Sequence, residues 1–295
     1  MDIRTMEWVF GRLPVQGLGL MRLVDEGWGQ PDRDPDALVR AAVGAGVTLL
    51  DTAEMYGNEE LIGRVVGPLR DQVILCSKFG VYWGASGDRD DWSVRADPAT
   101  VRSAIDGSLR RLNVDTIDLY YLHHRSDVTP IEDTVLAMAD LVRAGKIRAI
   151  GLSNVTVDDV RRAHLVHPVT AVQEQWAVTQ RSVEPMLPVL SELGITLVAH
   201  SPHGHGSIHS PTDDALATTL DEIATRHRVA RGQVALAWVH GSSLRRDQPV
   251  IPLPGTTRIT HLLANVAAAS LVLEPFELDR LDALASPSPV PVRPR

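Results

Sequence analysis

Cysteine, basic charge and long apolar runs are all scarce in this sequence. Its 295 residues include one cysteine, Cys76, so no internal disulfide can form and nothing indicates an oxidising compartment. The formal net charge of -8 disfavours nucleic acid as a partner, because phosphate binding needs a basic face. No apolar run approaches the ~18 residues of a membrane span, and residues 1–14 lack the apolar stretch of a signal peptide. We therefore expect a cytoplasmic protein without a nucleic-acid or membrane partner.

The chain also lacks the glycine-rich turn G-x-G-x-x-G, which a doubly wound open sheet would carry after an early strand. It has instead short apolar runs rich in strand-forming residues, each followed by a stretch with helical spacing. Near-continuous apolar character is typical of parallel strands that are covered on both faces. The predicted strands are 15–20, 47–53, 73–79, 117–123, 148–154, 171–176, 195–201 and 249–255.

Capping signals mark the helices between these strands, such as Asp97 before Pro98 and Gly145 after an apolar helical stretch. The predicted helices are 36–45, 59–66, 98–112, 130–144, 157–165, 184–193, 213–227, 233–239 and 258–269. Strand and helix alternate as in an α/β (β/α)8 TIM barrel, here one domain over 1–295. We expect a hairpin over 1–14 that closes the bottom of the barrel, a long loop over 80–98 and a proline-rich irregular tail over 286–295.

Polar residues end three neighbouring predicted strands, and the working face of such a barrel lies at these ends. Asp51, Lys78 and His123 hold these positions, and Tyr56 follows shortly after Asp51. A buried lysine needs a counter-charge, which Asp51 can supply, and a lysine beside a phenol lowers the tyrosine pKa from ~10. These residues predict carbonyl reduction, with Tyr56 as the general acid and His123 holding the substrate oxygen. An ion pair with no chemical role and a tyrosine that only covers it are the alternative.

Several segments in the same order and spacing resemble the aldo-keto reductase superfamily. They are GLGLMR (17–22), GVTLLDTAEMYGNEELIG (46–63), SK (77–78), IDLYYLHHR (117–125), GKIRAIGLSN (145–154) and AVQ (171–173). The resemblance implies a catalytic tetrad of Asp51, Tyr56, Lys78 and His123. It also implies direct hydride transfer from a nicotinamide, without metal or flavin, and an aldehyde or ketone as the small-molecule substrate.

The same resemblance implies a cofactor site at the barrel mouth. Its residues would be Gly19, Met21, Ser153, Asn154, Gln173, His200, Ser201, Pro202, Gly204, Gly255, Thr256, Arg258, His261 and Asn265. His200 replaces the tyrosine that stacks on the nicotinamide in the family. PLPGTTR (252–258) is similar to the I-P-G-T-x-R subgroup, in which Arg258 would pair with a 2′-phosphate. We therefore expect NADPH, with NADH as the alternative.

The substrate pocket and the metal question depend on residues in the loops. Expected pocket residues are Arg22, Trp28, Trp83, Trp92 and His124, although His124 alternates with His123 and would face away from it. The segment 200–210 has four histidines but no interleaved acidic or cysteine ligand, so we expect no metal.

Two other function classes stay open at this point. They are a cofactor-binding regulatory subunit without turnover and a metal-dependent barrel hydrolase. We expect a monomer or a weak homo-oligomer.

Overall fold

The computed structural model describes residues 7–23, 34–86, 88, 91–209 and 214–284. Eight parallel strands form one sheet, and their order in the sheet follows their order in the chain. These strands are β3 (Gly17–Gly19), β4 (Leu49–Asp51), β5 (Ile74–Phe79), β8 (Ile117–Leu122), β9 (Ile147–Ser153), β10 (Val169–Gln175), β11 (Thr196–His200) and β12 (Val250–Leu253). A parallel bridge between Gly19 and Gly255 joins the two edges, which curls the sheet into a barrel. The (β/α)8 prediction is confirmed, and every predicted strand end lies within two residues of the observed one.

Helices follow the barrel strands and cover the outside of the sheet. They are α1 (Pro35–Gly44), α2 (Glu59–Val66), α3 (Pro98–Leu112), α4 (Ile131–Arg143), α5 (Val157–Val166), α6 (Leu187–Glu192), α7 (Asp214–His227), α8 (Arg231–Arg245), α9 (Ile259–Ala268) and α10 (Pro275–Leu284). Caps fix the starts of several helices. The Asp97 carboxylate accepts from the backbone N–H groups of Ala99 and Thr100, so α3 begins where predicted. None of the described helices is both long and apolar enough to cross a membrane.

Three parts of the chain differ from the sequence prediction. The expected loop over 80–98 contains an antiparallel hairpin, β6 (Val81–Trp83) and β7 (Trp92–Val94), which the surrounding glycines and aspartates obscured. Helix α8 extends beyond the predicted 233–239 at both ends, and the buried Ser242 and Ser243 continue its inner face past residue 239. Helix α10 was missed because only Glu277, Leu278 and Leu281 of it are buried, which leaves a weak apolar pattern.

The barrel interior is a small apolar cluster that is separate from the main core between strands and helices. Trp8 and Phe10 pack against this interior cluster, and Trp8 belongs to the hairpin of β1 (Glu7–Trp8) and β2 (Gly11–Arg12). The cluster consists of Leu13, Leu49, Cys76, Leu119, Tyr121, Ala149, Ala171, Val198, Ile251 and Leu253. Cys76 is therefore an inward core thiol, and burial raises its pKa well above the ordinary value. The predicted tail over 286–295 lies outside the described residues.

Helices α2 and α3 approach each other closely at one glycine. A Cβ atom added to Gly63 would clash with the Leu112 carbonyl oxygen, because it would lie well inside van der Waals contact with that atom. The absence of a side chain at Gly63 therefore allows α2 to rest on the backbone at the end of α3.

Candidate active site

Strand alternation places a layer of polar side chains above the apolar interior of the barrel. Side chains two positions apart on a strand share a face. The residue two positions after each inward apolar residue therefore also points inward, nearer the carboxyl end of the strand. The pairs are Leu49 and Asp51, Cys76 and Lys78, Tyr121 and His123, Ala171 and Gln173, Val198 and His200. The upper member of each pair is polar, and together these residues form the barrel mouth.

Lys78 is the centre of this polar layer. Its ammonium forms an ion pair with the Asp51 carboxylate, and both side chains are almost fully buried. The Lys78 Nζ also donates to the Thr52 carbonyl oxygen at 2.9 Å and to the Tyr56 hydroxyl at 3.4 Å. On its other side, Asp51 Oδ2 accepts from the Gln173 amide nitrogen at 2.9 Å. The charge of Lys78 is thus compensated by Asp51, while its third contact points at the phenol.

The protonation states of this pair follow from burial and from the neighbouring charges. Burial lowers the pKa of Lys78, but Asp51 and Tyr56 together more than offset this, so the pKa lies above its ordinary value. Burial raises the pKa of Tyr56; Lys78 lowers it and Asp51 raises it again, so the net direction is upward. The expected net lowering by Lys78 is therefore wrong in this structure, because burial outweighs the ammonium. Tyr56 carries its proton at neutral pH.

His123 stands beside the phenol, directly after strand β8. Its ring packs edge-to-face on the Tyr56 ring, with 5.7 Å between centroids. Burial, and then the positive charge of Lys78, holds the pKa of His123 well below its usual range. Among the described residues the buried Nδ1 atom has no hydrogen-bond partner. His123 is therefore a neutral imidazole next to the hydroxyl that Lys78 contacts.

Comparison with known proteins identifies the family of this chain. The model of the aldo/keto reductase family matches residues 17–286. The chain belongs to the aldo/keto reductase family. It is by family an NAD(P)H-dependent oxidoreductase, and its similarity to solved structures extends over nearly the whole chain.

Three solved structures illustrate that similarity. An aldo/keto reductase from Klebsiella pneumoniae, in complex with NADP and acetate, is 29% identical, with a TM-score of 0.78 over 99% of this chain and 98% of that one. A thermostable aldo-keto reductase solved with the inhibitor epalrestat is 30% identical, with a TM-score of 0.77 over 92% and 96%. The glycerol dehydrogenase of Gluconobacter oxydans is 24% identical, with a TM-score of 0.82 over the full length of both chains, and shares the fold.

The residues expected to hold the nicotinamide lie at the carboxyl ends of β9, β10 and β11. Ser153 and Gln173 are buried, while Asn154 is exposed and adopts a left-handed backbone conformation with φ of 53°. The Asn154 amide nitrogen donates to the His123 carbonyl oxygen at 2.8 Å, which ties this turn to the neighbouring strand end. The Gln173 amide nitrogen is already engaged by Asp51, a contact that the sequence did not predict.

The histidine-rich segment of this aldo/keto reductase begins at the mouth with His200. A hydrogen-bond chain runs from His200 Nδ1 to Ser201 Oγ at 3.1 Å and from Ser201 Oγ to His205 Nδ1 at 3.3 Å. Burial, and then the nearby His205 charge, lowers the pKa of His200 to about 3. His203 Nε2 contacts the Gly232 carbonyl oxygen at 3.2 Å. Within the described ranges, no three His, Cys, Asp or Glu residues gather as a metal site would require.

The remaining expected cofactor residues lie on the other side of the mouth and in the covering loop. Gly19 meets Gly255 across the seam of the barrel, and Met21 lies in the turn that follows. Arg258 precedes α9, and its N–H donates to the Thr256 hydroxyl at 3.1 Å. On α9 itself, His261 is exposed and Asn265 is buried. In the covering loop, Pro202 is buried and Gly204 has a left-handed φ of 56°.

The expected pocket residues gather only in part. The Trp83 indole nitrogen donates to the Met55 carbonyl oxygen at 2.9 Å. This bond fastens the β6–β7 hairpin to the short helical turn Glu54–Tyr56, which we call the Tyr56 turn. The Trp92 ring lies 5.2 Å from the His124 ring, and His124 Nδ1 contacts the Arg125 carbonyl oxygen. Arg22 is exposed in the turn after β3. Trp28 lies outside the described residues.

Sequence reasoning missed several buried or half-buried polar residues around the tetrad positions. Thr52 holds Lys78 through its carbonyl oxygen, and its hydroxyl donates to the Asn58 side-chain oxygen at 2.6 Å. Ser77 donates to the Glu59 carboxylate at 2.6 Å. Glu174 accepts from the Val155 backbone N–H at 2.9 Å. Thr52, Ser77 and Glu174 directly adjoin Asp51, Lys78 and Gln173, so this adjacency was the available signal.

Proposed function

We propose that this aldo/keto reductase reduces an aldehyde or ketone to the corresponding alcohol with NADPH. The observation that carries the proposal is the buried series of contacts from Asp51 through Lys78 to the Tyr56 hydroxyl. It holds a protonated tyrosine at the barrel mouth beside a neutral His123. A protonated phenol that is backed by an ammonium can donate a proton and stabilise the phenolate that remains.

The residues at the mouth fit a nicotinamide dinucleotide. Gly19 and Gly255 meet without side chains, and a Cβ atom on Gly255 would lie 3.3 Å from the Gly19 carbonyl oxygen, so neither residue places a side chain over the backbone at this seam. The amino terminus of α9 has no side-chain cap, which leaves backbone N–H groups for a phosphate. Arg258 stands at that terminus and would hold the 2′-phosphate through its planar guanidinium. Klebsiella pneumoniae relatives have been solved with NADP and with NADPH.

Bound NADPH would supply the hydride that reduces the carbonyl carbon. Tyr56 would donate its hydroxyl proton to the carbonyl oxygen, which forms the alcohol O–H and leaves a phenolate. Lys78 would stabilise that phenolate, and Asp51 keeps Lys78 charged and in place. His123 would hold the substrate oxygen next to the phenol, because its ring is neutral and packs on Tyr56. Ser153, Asn154 and Gln173 would orient the nicotinamide carboxamide.

The substrate would enter beside the β6–β7 hairpin. Trp83 touches the Tyr56 turn, and Trp92 packs on His124, which follows His123. Aromatic side chains of this kind favour a substrate with an apolar part next to its carbonyl group. Burial, and then the positive charge of Arg22, lowers the pKa of His205, so Arg22 lies near the His200 side of the mouth.

The test compares the wild-type protein with Tyr56→Phe and Tyr120→Phe. NADPH consumption is followed by absorbance with a panel of aldehydes, ketones and quinones, and NADPH affinity is measured by fluorescence titration. Tyr120 is the matched control, because it is fully buried against Phe79 on the helix side of the sheet. We expect Tyr56→Phe to lose about 10²–10⁴-fold in kcat, the usual contribution of general acid catalysis, and to keep its NADPH affinity. Tyr120→Phe should keep both.

Two outcomes would contradict the proposal. Unchanged turnover in Tyr56→Phe would remove the assigned proton donor. Tight NADPH binding by a wild-type protein that reduces none of the carbonyl compounds would favour a cofactor-binding regulatory role.

A further inference from the structure

Two buried polar residues follow the Tyr56 turn and have no part in the chemistry proposed above. Asn58 and Glu59 are 3% and 1% exposed, respectively. The Asn58 amide nitrogen donates to the Leu20 and Leu23 carbonyl oxygens at 2.9 Å each, which ties the turn to the segment after β3. Glu59 faces the opposite direction, toward β5 and α3. The turn is therefore fastened on both sides by Asn58 and Glu59, which follow it after Gly57.

The Glu59 carboxylate joins three parts of the chain. Its Oε1 atom accepts from the Ser77 hydroxyl at 2.6 Å, and Ser77 directly precedes Lys78 on β5. Its Oε2 atom accepts from Arg111 Nε at 2.8 Å, near the end of α3. Glu59 is itself the first residue of α2, so its backbone continues the chain from Tyr56. One carboxylate thus links the segment that carries the phenol to the strand that carries the lysine.

Arg111 closes the network on the Tyr56 turn. Its Nη2 atom donates to Glu54 Oε1 at 3.2 Å, and Glu54 begins the short helical turn that ends at Tyr56. Space for the guanidinium comes from Gly107, where an added Cβ atom would lie 2.9 Å from Arg111 Nη1. A glycine inside a helix destabilises that helix relative to alanine, so this space has an energetic cost. The Tyr56 turn is therefore held at its beginning by Glu54 and just beyond its end by Glu59.

A buried carboxylate is a costly way to hold two elements together. An apolar residue of similar volume often gives equal or greater stability than a buried ion pair. The amino terminus of α2 recovers part of the cost, because the helix dipole favours a negative charge there. What the carboxylate provides beyond stability is direction: one oxygen accepts from Ser77 and the other from Arg111, which fixes the turn relative to β5.

We propose that Glu59 is a positioning residue, which sets the distance between the Tyr56 hydroxyl and the Lys78 ammonium with Arg111 as its counter-charge. This inference rests on the proposed function, in which that contact prepares the proton donor. The contact measures 3.4 Å, so a small displacement of the turn would break it. Misplacement by about 1 Å at such a site costs on the order of 10²-fold in rate.

The experiment compares Glu59→Gln with Glu277→Gln as a matched control. Glu277 is also fully buried and paired, with Arg226 at 3.1 Å and His227 at 2.8 Å, but it lies on α10 outside the barrel. Thermal unfolding, kcat, KM, NADPH affinity and hydrogen exchange of the amides of residues 53–58 are measured for each protein. Both variants should lose stability. Only Glu59→Gln should lose about 10–100-fold in kcat, keep its NADPH affinity and exchange faster at 53–58.

A second variant covers the case in which Glu59→Gln fails to fold. Ser77→Ala removes one hydrogen bond of the Glu59 carboxylate and leaves its pair with Arg111, so it should show the same changes with a smaller size. The inference would be overturned if folded Glu59→Gln kept the wild-type kcat and the wild-type exchange rate. If Glu59→Gln does not fold, the same result in Ser77→Ala would overturn it. An equal loss of kcat in Glu277→Gln would also overturn it. If the wild-type protein reduces no carbonyl compound, the proposed function fails, whereas hydrogen exchange at 53–58 still decides whether Glu59 holds the turn.

Discussion

At the scale of single residues, Lys78 is a tightly constrained group. It is fully buried, and its charge is balanced by Asp51. Lys78→Met should lower the free energy of unfolding by about 3–5 kcal/mol, because it leaves a buried carboxylate without its cation. The double variant Asp51→Asn/Lys78→Met should lose less than the sum of the two single variants, because neither charge is then left alone.

Lys146→Met is the matched control for this cycle. Lys146 pairs with Asp106 at the surface, and its side chain is 38% exposed, so its replacement should cost less than about 1 kcal/mol. Chemical denaturation checks all four variants. Equal losses of unfolding free energy in Lys78→Met and Lys146→Met would show that burial does not determine how much the Asp51–Lys78 pair contributes to stability.

The same scale shows what the sequence reveals about the site. Asp51, Lys78 and His123 were predictable, because a polar residue at the end of an apolar strand stands out against its neighbours. Glu59 was not predictable, since it begins an amphipathic helix where an exposed glutamate is ordinary. Its burial comes from Ser77 and Arg111, which lie on other elements and give no local signal.

At the scale of elements, the contact of α2 with α3 depends on Gly63. Gly63→Ala should destabilise the fold by about 1–3 kcal/mol, because the new Cβ atom meets the rigid Leu112 carbonyl. The control is Gly67→Ala at the end of the same helix. Gly67 has helical backbone angles, and its added Cβ atom would meet nothing within 4 Å. Gly67→Ala should therefore be neutral or stabilise by up to about 1 kcal/mol.

Thermal unfolding distinguishes the two glycines. A Gly63→Ala protein as stable as Gly67→Ala would mean that α2 can move away from α3 at no cost.

The sequence indicates both helices and their ends, but the residue pattern within either helix does not show which residues of α2 and α3 are in contact. The β6–β7 hairpin escaped prediction for a related reason, because pairing between Trp83 and Trp92 is a property of two segments together.

At the scale of the whole molecule, Glu174 gives stability a dependence on pH. Burial raises the pKa of this carboxyl to about 7, although the Val155 N–H acts in the opposite direction. Between the ordinary value of 4.5 and about 7, the folded protein holds a proton that the unfolded chain releases. The contribution of Glu174 to the free energy of unfolding should therefore fall as the pH rises through this window.

The measurement is chemical denaturation of the wild type, Glu174→Gln and Glu192→Gln at several pH values from about 4.5 to 8, which brackets the window set by linkage. Glu174→Gln should gain stability relative to the wild type across this range and then level off. Glu192→Gln should keep the wild-type slope at the upper end, because hydrogen bonding from Arg161 lowers the pKa of Glu192. Parallel curves for the wild type and Glu174→Gln would contradict the assignment.

The barrel itself was predictable because its evidence is distributed along the chain. Eight apolar runs alternate with helical stretches, and each pair of neighbours repeats the same signal. No local sequence pattern indicates the closure of the barrel at Gly19 and Gly255, because this contact joins residues that are far apart in the chain. Repeated local patterns thus specify the architecture, while single long-range contacts complete it.

The burial of Lys78 also bears on how the protein tolerates carbonyl compounds. Aldehydes condense with unprotonated lysine amines, and this sequence contains two lysines, Lys78 and Lys146. Lys78 is enclosed, and the Asp51 carboxylate, acting against burial, raises its pKa, so the reactive neutral amine is scarce. Lys146 is paired with Asp106 at the surface. Most of the positive charge is carried by arginine, so the chain offers few side-chain amines to the reactive compounds that it is proposed to consume.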